Sequence, residues 1–119
     1  MLPAADITRD CPARNAEPRP FGSAEEAWLW TMSILAARHE GRTWRGGVTR
    51  PCRPEDVLKC LDQLYRRRRI DLLHARILRI WGERQSSPHP ARDRCDWRIW
   101  REALDRLEWK LRAKGIVAS

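Results

Sequence analysis

Residues 54–82, PEDVLKCLDQLYRRRRIDLLHARILRIWG, place two apolar-striped segments on either side of four consecutive arginines. In the first segment Val57, Leu58, Leu61, Leu64 and Tyr65 follow the i, i+1, i+4, i+7, i+8 order of a helix with one apolar face. Pro54 suits a first helical position, where no backbone N–H is needed, and Glu55 and Asp56 complement the positive pole of the first turn. In the second segment Asp71 is placed to cap, Leu73, Ile77, Ile80 and Trp81 form a core stripe, and Gly82 is expected to mark the end. Helices are therefore predicted over 54–67 and 71–82.

The arginines between them, Arg66, Arg67, Arg68 and Arg69, cannot all lie on one helix face. Cations near a helix C-terminus gain only about 0.3–1 kcal/mol from the dipole, which accounts for one or two of them. Four in succession would point around most of a turn and repel one another, so the helix should end within the run. The arginines then fan into a short corner before Asp71, where they are candidate contacts for an anion.

Toward the amino terminus, Ser23 and Glu26 have capping-box spacing and Gly41 is a natural left-handed stop, which predicts a helix over 24–40. Its apolar residues form two groups, Trp28, Leu29, Met32, Leu35 and Ala36 against Trp30, Ile34 and Ala37. Either this helix is sandwiched within the domain, which is the expected arrangement, or its second face with Trp30 meets another chain. Residues 1–22 are rich in proline, alanine and small polar residues without a period, and are expected to form a flexible arm preceding a single helical domain over 23–119. Arg42, Arg45, Arg50 and Arg53 surround Trp44 in a loop that could supply an accessory basic surface.

Toward the carboxyl terminus, QSSPHPARD reads as a loop, and Asp96 is positioned to cap a final helix over 96–114. Trp97, Trp100, Leu104, Leu107 and Leu111 form its core stripe, and Ile116 and Val117 beyond Gly115 can fold back onto it. Trp109 falls on the opposite side, among Arg98, Glu102, Asp105 and Arg112. It is covered by the arm or another helix, or else it is an anchor for a partner, because tryptophan and arginine dominate interface hot spots. With no strand alternation and no internal repeat, the fold class is all-α, a compact bundle of about four helices.

Composition narrows the function. The 119 residues carry 24 basic side chains and a net charge of +8. Residues 1–41 have four basic and six acidic side chains, whereas residues 42–101 have sixteen basic and seven acidic. Positive charge concentrated in this way is the footprint of phosphate neutralisation and counterion release. The histidines His39, His74 and His89 lie in three separate segments, and no nucleophile–base order, HExxH motif or phosphate-cradling glycine loop is present. A non-enzymatic protein without cofactor is expected. Cys11, Cys52, Cys60 and Cys95 lack metal-finger spacing, with or without His89, and read as reduced thiols in a cytoplasmic chain. No stretch reaches the roughly 20 apolar residues that span a bilayer.

From Pro54 onward, a short core helix, the helix of DLLHARILRIWGE, a loop, and the longer helix of WREALDRLEWKLRAKGI resemble the helix-turn-helix of sigma-factor region 4 and of small phage-type antiterminators and activators. The resemblance, over 54–114, implies a DNA-binding transcriptional regulator whose last helix approaches the major groove at its amino-terminal end. It would make Arg92, Arg94, Arg98 and Arg101 the base or phosphate contacts and Arg66 to Arg69 a backbone clamp, with a homodimer or a transcription-machinery protein as partner. One departure is the length of ERQSSPHPARDRC, where those families have a tight turn. The alternative is an adaptor or inhibitor that docks on an acidic partner surface through the same arginines and through Trp30 and Trp109.

Overall fold

The computed structural model describes residues 18–42 and 49–118. Four helices follow in order, α1 (Ala24–His39), α2 (Pro54–Arg66), α3 (Leu72–Glu83) and α4 (Arg94–Ala113), so the molecule is an all-α four-helix bundle. Among the described residues the sole strand-like pairing is a parallel bridge between Phe21 and Val117.

The helix starts follow the side chains available. The Ser23 hydroxyl accepts the Glu26 N–H at 3.2 Å, and the Glu26 carboxylate accepts the Gly22 N–H at 2.7 Å. At α2 the Arg53 N–H donates to Asp56 at 2.8 Å, and at α3 Asp71 accepts the Leu73 and His74 N–H groups at 2.9 and 3.3 Å. The last helix begins two residues earlier than Asp96 predicts, because Asp96 is engaged elsewhere: it accepts the Trp81 indole N–H at 3.1 Å.

All four helices end on one device. Gly41, Arg68, Gln85 and Gly115 adopt positive φ angles of 77°, 59°, 55° and 75°. In each case the next N–H reaches back five residues, Arg42 to Ala37 at 2.8 Å, Arg69 to Leu64 at 2.8 Å, Ser86 to Trp81 at 3.3 Å and Ile116 to Leu111 at 2.9 Å. These reversals satisfy carbonyls that the helix itself leaves open.

Helix α1 packs against all three other helices, which explains its two apolar groups. Three buried tryptophans tie helices in a cycle. Trp28 of α1 donates to the Leu78 carbonyl of α3 at 2.8 Å, Trp81 of α3 to Asp96 of α4, and Trp100 of α4 to Glu25 of α1 at 3.0 Å. Each indole thus buries a large apolar body while its one donor finds an acceptor on the next helix. Gly82 does not end α3. It lies within the helix, where a Cβ would sit 2.6 Å from Met32 Cγ and 2.8 Å from Trp28 Nε1, so it permits the close crossing of α1 and α3.

The buried stripe of α3 is His74, Ile77, Leu78 and Trp81, displaced from the expected one: Leu73 is exposed and Leu78 is fully enclosed. Tyr65 is likewise exposed, whereas Ile70, beyond the reversal at Arg68, is buried in the core. Of the arm expected over 1–22, residues 1–17 lie outside the described residues. Its last part belongs to the packed unit, since Phe21 is fully buried and exchanges backbone hydrogen bonds of 2.9 Å with Ile116 and Ala118.

Candidate functional site

The arginine corner is built by the reversal at the end of α2. Arg66 closes the helix and pairs with Asp62 one turn earlier at 2.8 Å, Arg67 caps it, and Arg68 takes the left-handed conformation. This sharp turn sends alternate arginines to opposite sides. Arg67 and Arg69 line a groove with Leu64, Arg106, Trp109, Lys110 and Ala113, whereas Arg66 and Arg68 border a second depression with Tyr65, Ile70, Leu72 and Leu73.

The first groove encloses about 470 Å³ and runs between the end of α2 and the last turns of α4. Arg106 crosses beneath it and donates to the Arg69 carbonyl at 2.8 Å and to Glu102 at 3.4 Å, which fixes the corner to α4. Arg67, Arg69 and Lys110 form no ion pair among the described residues, and no carboxylate lines the groove. Trp109 forms its outer wall and is 78% exposed. On the other side of the indole a shallower depression is lined by Asp105, Glu108 and Arg112, and there Arg112 is neutralised by Glu108 at 2.8 Å. The tryptophan therefore separates a cationic face from a charge-balanced one.

Below the corner, His74 joins α3 to α4. Its Nε2 lies 2.7 Å from the Glu102 carboxylate, and its Nδ1 lies 3.1 Å from the Asp71 backbone nitrogen and 3.0 Å from the Asp71 carboxylate. The His74 side-chain hydrogen bond, aided by Arg106, holds the Glu102 carboxyl below the usual range. Asp71 is also lowered, chiefly by the backbone N–H of His74 and then of Leu73. The network fixes the angle between the corner and Arg106.

The sequence-predicted residues are only partly gathered. Arg67, Arg69 and Trp109 meet in one groove; Arg66 is committed to Asp62, and Arg68 faces the other side. Arg92, Arg94, Arg98 and Arg101 are exposed at the opposite end of α4, where a rise of 1.5 Å per residue puts Arg94 roughly 22 Å from Trp109. Arg92 lies 3.9 Å from Asp93, and Arg101 pairs with Asp105 at 3.0 Å.

The described arginines of the accessory loop differ in their surroundings. Arg50 is buried to 16% side-chain exposure, with its guanidinium 4.2 Å from the Phe21 ring centroid and a donor to the Arg19 carbonyl, so it serves packing. Arg42 is paired with Glu40, and Arg53 is exposed at the start of α2. Arg45 and Trp44 lie outside the described residues. Trp30 is half-buried, its ring 5.1 Å from that of Phe21, and is not a free anchor.

Arg106 and Lys110 were not singled out from sequence, where each sits among acidic neighbours. The available signal was positional: one helical turn apart, they share the flank of α4 between its core stripe and Trp109. Cys52, Cys60 and Cys95 are unpaired, and Cys11 lies outside the described residues. Burial pushes the Cys52 thiol up to about 11 and raises that of Cys60. No three histidine, cysteine or carboxylate side chains converge as a metal site among the described residues, and none of their helices is long and apolar enough to cross a membrane.

No family model matches the chain, and no solved structure matches it. Curated proteins that do match include Rho GTPase-activating protein 7 of Rattus norvegicus and of Mus musculus, each 32% identical over 74 residues. The similarity takes in 55% of this chain and 7% of each of those proteins. The chain spans less than a tenth of their length, and the similarity is to that fragment alone.

Proposed function

We propose that the domain is a non-catalytic DNA-binding module, a small regulator of transcription that grips phosphates in the groove between the end of α2 and α4. One observation carries this reading: Arg67, Arg69, Arg106 and Lys110, drawn from two elements, converge on a groove lined by no carboxylate. Surface arginines ordinarily intermix with acids, as those of α4 do elsewhere; here Arg106 is paired with Glu102, but Arg67, Arg69 and Lys110 form no ion pair among the described residues, and such a concentration of positive charge attracts a polyanion. The resemblance of residues 54–114 to helix-turn-helix modules adds Arg94 and Arg98 as a second contact region.

Binding of a mixed-sequence duplex should weaken as salt rises, with a log–log slope of about −0.9 for each phosphate neutralised. Replacing Arg67, Arg69 and Lys110 together by alanine should flatten that slope by about 3. Arg106 is left in place because it also holds the corner. Absence of binding at ~50 mM salt, or a slope unaltered in the triple variant, would overturn the reading.

A second reading, docking on an acidic protein, is favoured by Tyr65, Leu72 and Leu73, which are exposed on the far side of the corner beside Arg66 and Arg68, with Asp71 the one carboxylate in that depression. Capture of a protein partner that survives nuclease treatment and is lost with Leu72→Asp would support it.

A further inference from the structure

We infer that the α2–α4 groove takes an unpaired nucleic-acid strand, with one base stacked on Trp109 and neighbouring phosphates held by Arg67, Arg69 and Lys110. This inference rests on the DNA-binding reading and specifies the form of its ligand.

The case begins with the indole. Trp109 lies diametrically opposite the core stripe of α4 and contributes nothing to the bundle; a large aromatic surface, 78% exposed, is there without a structural reason. Its two faces differ. One borders Arg67, Arg69, Arg106 and Lys110, and the other borders Asp105, Glu108 and Arg112, whose charges are paired with Arg101 and with each other. An anionic chain is thus attracted to the first side of the ring and gains nothing on the second.

Chemistry then separates the candidate polyanions. Duplex DNA keeps its bases paired and stacked, and a flat ring on the convex side of a helix has no base face to meet. An unpaired strand exposes both base faces and its phosphates together, and proteins that bind such strands combine a basic groove with aromatic platforms. An acidic peptide could satisfy the cations. What favours a strand is the flat, 78% exposed indole, on which any base can stack, set beside cations that line the same groove.

The test compares a labelled oligothymidylate of about 12 nucleotides, within the site sizes common for single strands, with a duplex of equal length. The proteins are the full chain, Trp109→Ala, Trp109→Phe and the triple Arg67→Ala, Arg69→Ala, Lys110→Ala variant. The full chain should prefer the single strand. Trp109→Ala should weaken that binding about five- to a hundredfold, the loss of one base–aromatic stack, while Trp109→Phe retains part of it. Duplex affinity should be the same for Trp109→Ala and the parent. The triple variant should bind both nucleic acids more weakly and with a shallower salt dependence.

Unchanged single-strand affinity in Trp109→Ala overturns this inference, as does a full chain that prefers the duplex; neither outcome touches the DNA-binding reading if salt-dependent duplex binding persists. Polyglutamate that displaces the oligonucleotide as effectively as unlabelled oligothymidylate also overturns it, in favour of an acidic peptide. A chain that binds neither nucleic acid removes both readings together.

Discussion

Arg68 carries the geometry of the corner and also its strain. A left-handed conformation costs a residue with a Cβ roughly 1–2 kcal/mol, and glycine escapes that cost although it loses more backbone freedom on folding. Arg68→Gly should therefore stabilise the protein by about 0.5–1 kcal/mol, seen as a higher urea midpoint with an unchanged slope. A lower midpoint would mean that the arginine side chain itself holds the turn. The contrast with Gly41 and Gly115 shows what could be read locally. The two glycine reversals were legible because glycine is the residue such a turn favours, whereas Arg68 and Gln85 adopt the same conformation with no residue-type signal. Only the implausibility of four helical arginines in a row revealed that α2 had to end there.

At the level of elements, the helices were legible because each carries apolar residues at helical spacing, while the choice between adjacent stripes was not. On α3 the positions 73, 77, 80 and 81 compete with 74, 77, 78 and 81, and His74 reads as polar until Glu102 and the Asp71 backbone are seen to satisfy it. Gly82 was ambiguous for the same reason. A glycine near the end of an apolar stripe reads as a stop, and only the approach of α1 shows it to be a contact surface. Gly82→Ala should destabilise the bundle by about 1–3 kcal/mol through overpacking against Met32 and Trp28. Met32→Ala should relieve part of that loss, because Met32 presents the nearer atom; a double-mutant cycle in urea measures the coupling. A neutral Gly82→Ala would show that α1 and α3 separate freely, which the Trp28 bond to the Leu78 carbonyl opposes.

Across the whole molecule, both the fold and the groove depend on side chains that reach from one helix to another, and such pairings have no footprint in a linear pattern. The basic balance of residues 42–101 was visible, yet Arg106 and Lys110, in a helix where basic and acidic side chains intermix, complete the groove only because His74, Glu102 and the Arg69 carbonyl set α4 against the corner. That dependence has a pH signature. Glu102 and Asp71 are held below the usual carboxylate range in the folded chain, so the unfolded chain binds protons more readily at these positions. Their stabilisation is complete above the ordinary carboxylate pKa of about 4 and is lost as pH falls through the lowered folded values. Glu102→Gln removes one such group: its stability should fall less steeply with acidification than that of the parent, so the two unfolding curves converge as pH falls through and below the ordinary carboxylate range. His74 keeps an acceptor in this variant, which makes it a test of charge rather than of the hydrogen bond alone. Parallel curves, read as urea midpoints at intervals of pH, would show that Glu102 is not coupled to folding. The Arg106–Glu102 ion pair within α4 weakens over the same range, whereas the Arg106 bond to the Arg69 carbonyl has no titrating acceptor and keeps the corner tied to α4.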